Sequence, residues 1–231
     1  NDENAEFKPE SNRYHLYISH ACPWAHRALI FRKLKKLEDH ISISVVHPLM
    51  LENGWTFQEG KNVIQDNILG SQYLHQVYTF AQKDYTGRVT VPVLWDKKKK
   101  TIVNNESSQI IRIFNSAFND LTGNEDDYYP EKLQDQIDEI NDDIYHNINN
   151  GVYKTGFATT KEAYEETFDA LFKSLDNIEK ILTLTNFLVG NNITEADWRL
   201  FTTLIRFDAV YFGHFKCNKK RISDYPKIYK Y

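Results

Sequence analysis

Two cysteines stand in the 231 residues, Cys22 and Cys217. They are too few and too far apart for a disulfide framework, so a reducing compartment is the natural setting, and the expected location is cytoplasmic. No apolar run approaches the roughly 18 residues that a transmembrane helix needs, and no signal-peptide pattern is visible, so no membrane role is expected. The chain opens at Asn1 without Met and stops at Tyr231 inside a helical pattern. Both ends are therefore expected to be trimmed. A net charge of −4 leaves no basic surplus for a nucleic-acid partner. The one basic run, Lys97 to Lys100, falls between two strand-like segments and reads as a solvated hairpin tip. The histidines show no metal-ligand spacing, so no metal is expected, and neither a glycine-rich phosphate loop nor a Ser-His-Asp arrangement occurs. What remains is the composition of an ordinary globular chain, 41% hydrophobic and 26% charged, long enough for one large domain or two small ones.

Against these absences one stretch stands out: His20-Ala21-Cys22-Pro23-Trp24-Ala25. It follows an apolar run and opens a helical pattern that continues to Leu37. Pro23 occupies the first helical position, where its missing N–H is no loss. Cys22 is then the N-cap, facing orphan N–H groups and the positive end of the helix dipole. Both favour thiolate, so a pKa below the usual value of about 8.5 is expected. A dithiol motif would place cysteine at 25, where Ala25 stands. Any mixed disulfide on Cys22 must therefore be resolved by an external thiol such as glutathione. His20 is a possible base beside it, but the helix terminus already supplies the activation. Cys217 reads as structural.

Residues 1–12 are polar and irregular. Tyr14, Leu16 and Ile18 alternate with His15, Tyr17 and Ser19, a strand pattern. In the helix after Cys22, Ala25, Ala28, Leu29, Leu34 and Leu37 form the apolar side, while Arg27, Arg32, Lys33, Lys35 and Lys36 are expected to cover the other faces. A second strand (Ile41, Ile43, Val45, Val46) completes a βαβ unit. Residues 47–70 form a long loop, a length that is often functional. Trp55 follows an Asn53-Gly54 turn; its indole either stacks on a ligand or pins the loop. Ser71 to Gln82 reads as a short helix. The run from Arg88 to Trp95 carries Pro92 among β-branched residues, which fits a cis-proline at a strand entry, with Val91 free to pair with a peptide-like ligand. Thr101 to Val103 returns as another strand. Asn105-Glu106-Ser107-Ser108 then opens a helix whose N-terminus is either an anion site or a plain serine cap. Strand, helix, strand, helix, strand, strand, helix is the order of an α/β thioredoxin-like domain, expected over 1–118.

Residues 119–130 read as a polar linker, and 131–231 as an all-α domain. Leu133, Ile137, Ile140, Ile144 and Ile148 recur at helical spacing, as do Tyr164, Phe168, Leu171, Leu175, Ile178 and Leu182. The segment Gly151 to Phe157 between them is too glycine-rich for a helix interior. Thr194-Glu195-Ala196-Asp197 reads as a capping box opening a further helix.

With these residues placed, the chain resembles the glutathione transferase superfamily, a thioredoxin-like domain followed by a helical one. Cys22-Pro23-Trp24-Ala25, Gly54-Trp55, the run Arg88 to Asp96, Asn104-Asn105-Glu106-Ser107 and Gly213-His214-Phe215-Lys216-Cys217-Asn218 together resemble the Xi class, the glutathionyl-hydroquinone reductases. That resemblance implies Cys22 as nucleophile, and Trp55, Arg88, Val91, Pro92, Glu106 and Ser107 as glutathione-binding positions. It implies Tyr153 as proton donor or acceptor and Tyr211 as a group lowering the nucleophile's pKa. A further tyrosine of the family falls beyond Tyr231. Glutathione is the implied co-substrate, quinone–glutathione conjugates the implied substrates, and a homodimer the implied assembly. The Cys-Pro pair alone also fits Omega-class thiol transferases and dehydroascorbate reductases, which do not need the two tyrosines. A non-catalytic interaction module of the same fold would not need Cys22, Pro92 and Glu106-Ser107 together.

Overall fold

A computed structural model describes residues 5–231. The chain divides into two compact units, Asn1–Asp126 and Asp127–Tyr231. Of the irregular stretch read over 1–12, residues 1–4 lie outside the described residues, and 5–12 hold no helix or strand.

In the first unit, β1 (Tyr14–Ile18), α1 (Pro23–Leu34) and β2 (Ile41–Val45) form the expected βαβ unit. The two strands run parallel, with Tyr14 opposite Ile41 and Ile18 opposite Val45. After the long loop come α2 (Leu74–Ala81), β3 (Val93–Asp96), β4 (Thr101–Asn104) and α3 (Ser107–Ser116). The sheet order is β2-β1-β3-β4, with β3 antiparallel to both of its neighbours. This is the thioredoxin-like α/β arrangement. The four-lysine run is indeed the β3–β4 turn. Asp96 holds it by accepting the N–H groups of Lys98 and Lys99 at 2.8 and 3.1 Å.

Strand β1 lies inside the sheet, and all five of its residues are buried, not one face as alternation alone would give. Its polar residues find partners there. His15 bonds Ser42 and Ser44 through its two ring nitrogens at 2.7 and 3.0 Å, and Tyr17 donates to Asp66 at 3.0 Å. Asp66 also accepts the N–H groups of Ile68, Leu69 and Ser71 at 3.0 to 3.2 Å, which ties the long loop to the sheet.

Helix α1 departs from its pattern in two places. Arg27 and Lys35 do not cover exposed faces: they are 1% and 0% exposed. A buried cation needs partners. Arg27 lies over the Trp24 ring, 4.5 Å from its centre, and Lys35 donates to the Asp126 carbonyl. The expected linker opens with a short helix, α4 (Asn119–Thr122), ended by Gly123 in the left-handed region at φ 63.

The second unit is helical throughout: a turn at Glu131–Leu133, α5 (Gln134–Asp143), a π-helical segment (Ile144–Asn149), α6 (Gly151–Phe157), α7 (Lys161–Leu184) and α8 (Glu195–Arg206). A second π-helical segment (Phe207–Tyr211), α9 (Phe212–His214), a turn at Ile222–Asp224 and α10 (Pro226–Lys230) follow. The segment Gly151 to Phe157 is a helix, contrary to the reading of its glycines as breakers. The glycines there serve close packing: a Cβ on Gly156 would stand 2.3 Å from Phe215 Cδ1, and one on Gly151 would touch Leu171. The capping box forms as expected, Asp197 Oδ2 accepting the Thr194 N–H and hydroxyl at 2.6 and 2.9 Å. Ile144, Ile148, Val152, Leu175, Ile178 and Leu200 are among the core residues of this unit.

Candidate active site

Cys22 is the N-cap of α1 with extended backbone (φ −83, ψ 120), and Pro23 is the first helical residue. Its carbonyl accepts the His26 N–H at 3.1 Å, the first bond of the helix. The geometry puts the thiol at the positive end of a three-turn helix. Cys22 is half-buried, and its Sγ lies 3.6 Å from the Val91 carbonyl oxygen. The Val91–Pro92 peptide is cis, as the sequence predicts. Two loops distant in sequence thus meet at the thiol: the one that starts α1 and the one that enters β3.

Glu106 and Ser107 stand at the start of α3. The Glu106 side chain folds back over the helix N-terminus. Glu106 is the N-cap residue, and its own Oε1 accepts the Ser108 N–H and hydroxyl, both at 3.1 Å, and the Ser107 hydroxyl at 3.4 Å. The Glu106 carboxylate thus takes the Ser108 N–H and both serine hydroxyls, groups that an anion at this helix end would otherwise meet. Ser107 is 2% exposed. Behind it, Arg27 Nη1 donates to its hydroxyl at 3.5 Å. This buried cation adds positive potential beneath the turn. Arg27 was absent from the sequence-predicted site. The signal for it was the spacing Trp24-x-x-Arg27, which puts ring and guanidinium on one helix face.

Trp55 and Arg88 stand on other elements. Gly54, at φ 72, makes the turn before Trp55, whose carbonyl accepts the Leu74 N–H at 2.9 Å. Its backbone therefore pins the loop to α2, while its indole is half-buried. Arg88 is exposed, and its carbonyl accepts the Tyr85 hydroxyl at 3.0 Å. A cavity of about 420 Å³ opens beside α3, bordered by Tyr78, Asn105, Glu106 and Gln109. A larger one of about 800 Å³ lies along the 51–73 loop, but no sequence-predicted site residue lines it.

In the helical unit, the Tyr153 and Tyr211 hydroxyls are 3.4 Å apart and their rings meet edge to face. Phe215 packs edge-on against both, with centroids 5.5 and 5.2 Å away. Tyr211 ends the second π-helical segment and is 2% exposed. Cys217 is fully buried, and burial pushes its thiol up to about 12, the behaviour of a structural residue. Among the described residues no His, Cys, Asp or Glu cluster could hold a metal, and no helix is long and apolar enough to cross a membrane.

Family models for the glutathione S-transferase N-terminal and C-terminal domains match residues 21–117 and 161–231. The chain is 59% identical over 225 residues to the glutathionyl-hydroquinone reductase PcpF of Sphingobium chlorophenolicum, covering 97% of this chain and 72% of that protein. It is 58% identical to YqjG of Escherichia coli, whose glutathione-bound structure superposes with a TM-score of 0.94 over 95% of this chain and 72% of that one. The Xi 1 glutathione transferase of Trametes versicolor gives 0.96 at 52% identity, over 98% and 80% of the two chains. The chain belongs to the glutathione S-transferase superfamily, in the Xi class that includes the glutathionyl-hydroquinone reductases.

Proposed function

We propose that this chain reduces glutathionyl-hydroquinones to hydroquinones, with Cys22 as the nucleophile and glutathione as co-substrate. The observation that carries the reading is the monothiol at the α1 N-terminus, 3.6 Å from Val91 O, in a chain 59% identical to a glutathionyl-hydroquinone reductase. The Cys22 thiolate attacks the glutathione sulfur of the conjugate. The carbon–sulfur bond breaks, its electron pair goes to the ring carbon, and that carbon takes a proton. Hydroquinone leaves, and Cys22 holds glutathione in a mixed disulfide. A second glutathione attacks that disulfide, releasing oxidised glutathione and restoring the thiolate.

Val91 pairs with the cysteinyl backbone, and Pro92, Trp55 and Arg88 complete the peptide-binding surface. The γ-glutamyl carboxylate takes the Ser107 end of α3, displacing the Glu106 carboxylate from its cap, and Glu106 then faces the ammonium group. Tyr153 handles the proton delivered to the quinol carbon, and Tyr211 helps lower the pKa of the nucleophile. A cytoplasmic homodimer fits the family and the absence of disulfides.

The test is mass spectrometry of the protein incubated with a glutathionyl-hydroquinone and no free thiol. The expected result is one glutathione added on Cys22 and an equivalent of hydroquinone released. Tyr153→Phe is expected to lose that half-reaction while keeping the adduct formed from oxidised glutathione. An adduct from oxidised glutathione alone in the unaltered protein makes it a thiol transferase instead.

A further inference from the structure

Tyr78 stands on α2 and is 1% exposed. It is not among the residues assigned above to bind glutathione. Its hydroxyl donates to the Thr90 carbonyl at 2.8 Å and accepts the Thr90 N–H at 3.3 Å and the Asn105 side-chain amide at 3.2 Å. A phenol has one proton and two lone pairs. All three are used, and all three are used on two loops.

Those loops are the ones that matter. Thr90 directly precedes Val91, and Asn105 directly precedes Glu106. Strands β3 and β4 join them through the sheet, but the ladder shifts register between Leu94 and Trp95, at the end nearest both loops. A register shift interrupts the ladder locally and bends the strand, so the ladder's hydrogen bonds are not continuous there. The Tyr78 hydroxyl lies across that end and ties the Thr90 backbone and the Asn105 side chain to one point.

We propose that Tyr78 is a positioning residue for glutathione: its hydroxyl sets the distance between the Val91 backbone and the Glu106–Ser107 turn. The inference rests on the assignment of those two places to the cysteinyl backbone and the γ-glutamyl end. A ligand that spans both gains from the second contact only when the spacing matches. A ligand that reaches Val91 alone is indifferent to it.

The experiment compares two disulfide reagents on Cys22, read as the rate of adduct formation by mass spectrometry. Oxidised glutathione spans both places; the disulfide of cysteinylglycine lacks the γ-glutamyl arm. In each case the Cys22 thiolate attacks one sulfur, a new disulfide forms, and the other half leaves as a thiol. In Tyr78→Phe, which keeps the ring in the core, the glutathione rate is expected to fall about tenfold. The cysteinylglycine rate is expected to stay within about twofold. Asn105→Ala, which cuts the same tie from its exposed side, is expected to show the same selective loss. An unchanged glutathione rate in both variants overturns the proposal. So does an equal fall for both reagents, the sign of a merely structural role. If the unaltered protein shows no preference for oxidised glutathione, the binding assignment itself is wrong, and the positioning role goes with it.

Discussion

Glu106 carries two tasks that its position separates. As N-cap it holds the first turn of α3 through the Ser108 N–H at 3.1 Å. As a carboxylate it is the proposed partner of the ligand's ammonium. A glutamine side chain at this position retains an acceptor oxygen and loses the charge. Glu106→Gln is therefore expected to change folding stability by no more than about 0.5 kcal/mol, while glutathione affinity falls about tenfold. A des-amino glutathione, lacking the ammonium, is expected to bind both forms alike. Calorimetric titration with the two ligands reads this directly; equal losses for both ligands would remove Glu106 from the ammonium.

At the scale of the element, α6 is held by what its glycines leave out. Alanine is favoured over glycine in a helix interior by about 1 kcal/mol. On propensity alone Gly156→Ala would stabilise. The added methyl, however, would stand 2.3 Å from Phe215 Cδ1 and 2.8 Å from its Cβ, so the whole side chain must move and not merely its tip. Overpacking of this kind costs about 1 to 3 kcal/mol, and the net effect is expected to be destabilising. Because Phe215 packs on Tyr153 and Tyr211, the same substitution is expected to lower conjugate cleavage. Thermal melting and the conjugate half-reaction measure the two effects. A raised melting temperature would show that Phe215 yields without cost.

For the whole molecule, acid is the informative stress. His15 is 2% exposed, and burial pushes its pKa down to about 4. In the unfolded chain it titrates near about 6.5. Between these values the unfolded state binds the extra proton, so stability falls as the pH drops through that window. The contribution is complete above about pH 6.5 and, once lost, amounts to about 3 kcal/mol. Further down, Asp66 and Asp96 add to the loss. Burial alone would raise both. For Asp66, hydrogen bonds from the Ser71 hydroxyl and the loop N–H groups outweigh it; for Asp96, the Arg13 guanidinium and the turn N–H groups do. Both therefore titrate below the usual range. Denaturant midpoints between pH 7 and 5 are expected to decline in the unaltered protein and to flatten in His15→Gln, whose amide can still meet Ser42 and Ser44. Parallel declines would place the acid sensitivity elsewhere.

Whatever neighbouring residues settle between themselves was legible along the chain. Cys22 as N-cap with Pro23 behind it, the strand pattern of β1, the Asp197 capping box, the lysine turn and the monothiol character all follow from residues within one or two turns of each other. The same reasoning misread what distant packing decides. Arg27 and Lys35 look like solvent-facing cations until Ser107 and the Asp126 carbonyl come to them from 80 and 91 residues away. Gly151 to Phe157 looks like a break until Leu171 and Phe215 press against it. The Tyr78 tie, joining residues 12 and 27 positions along the chain, has no local signature at all. Periodicity and capping are written in neighbouring residues, whereas the partner of a buried polar group is chosen by the fold, because burial leaves such a group no water and only the atoms that packing brings near.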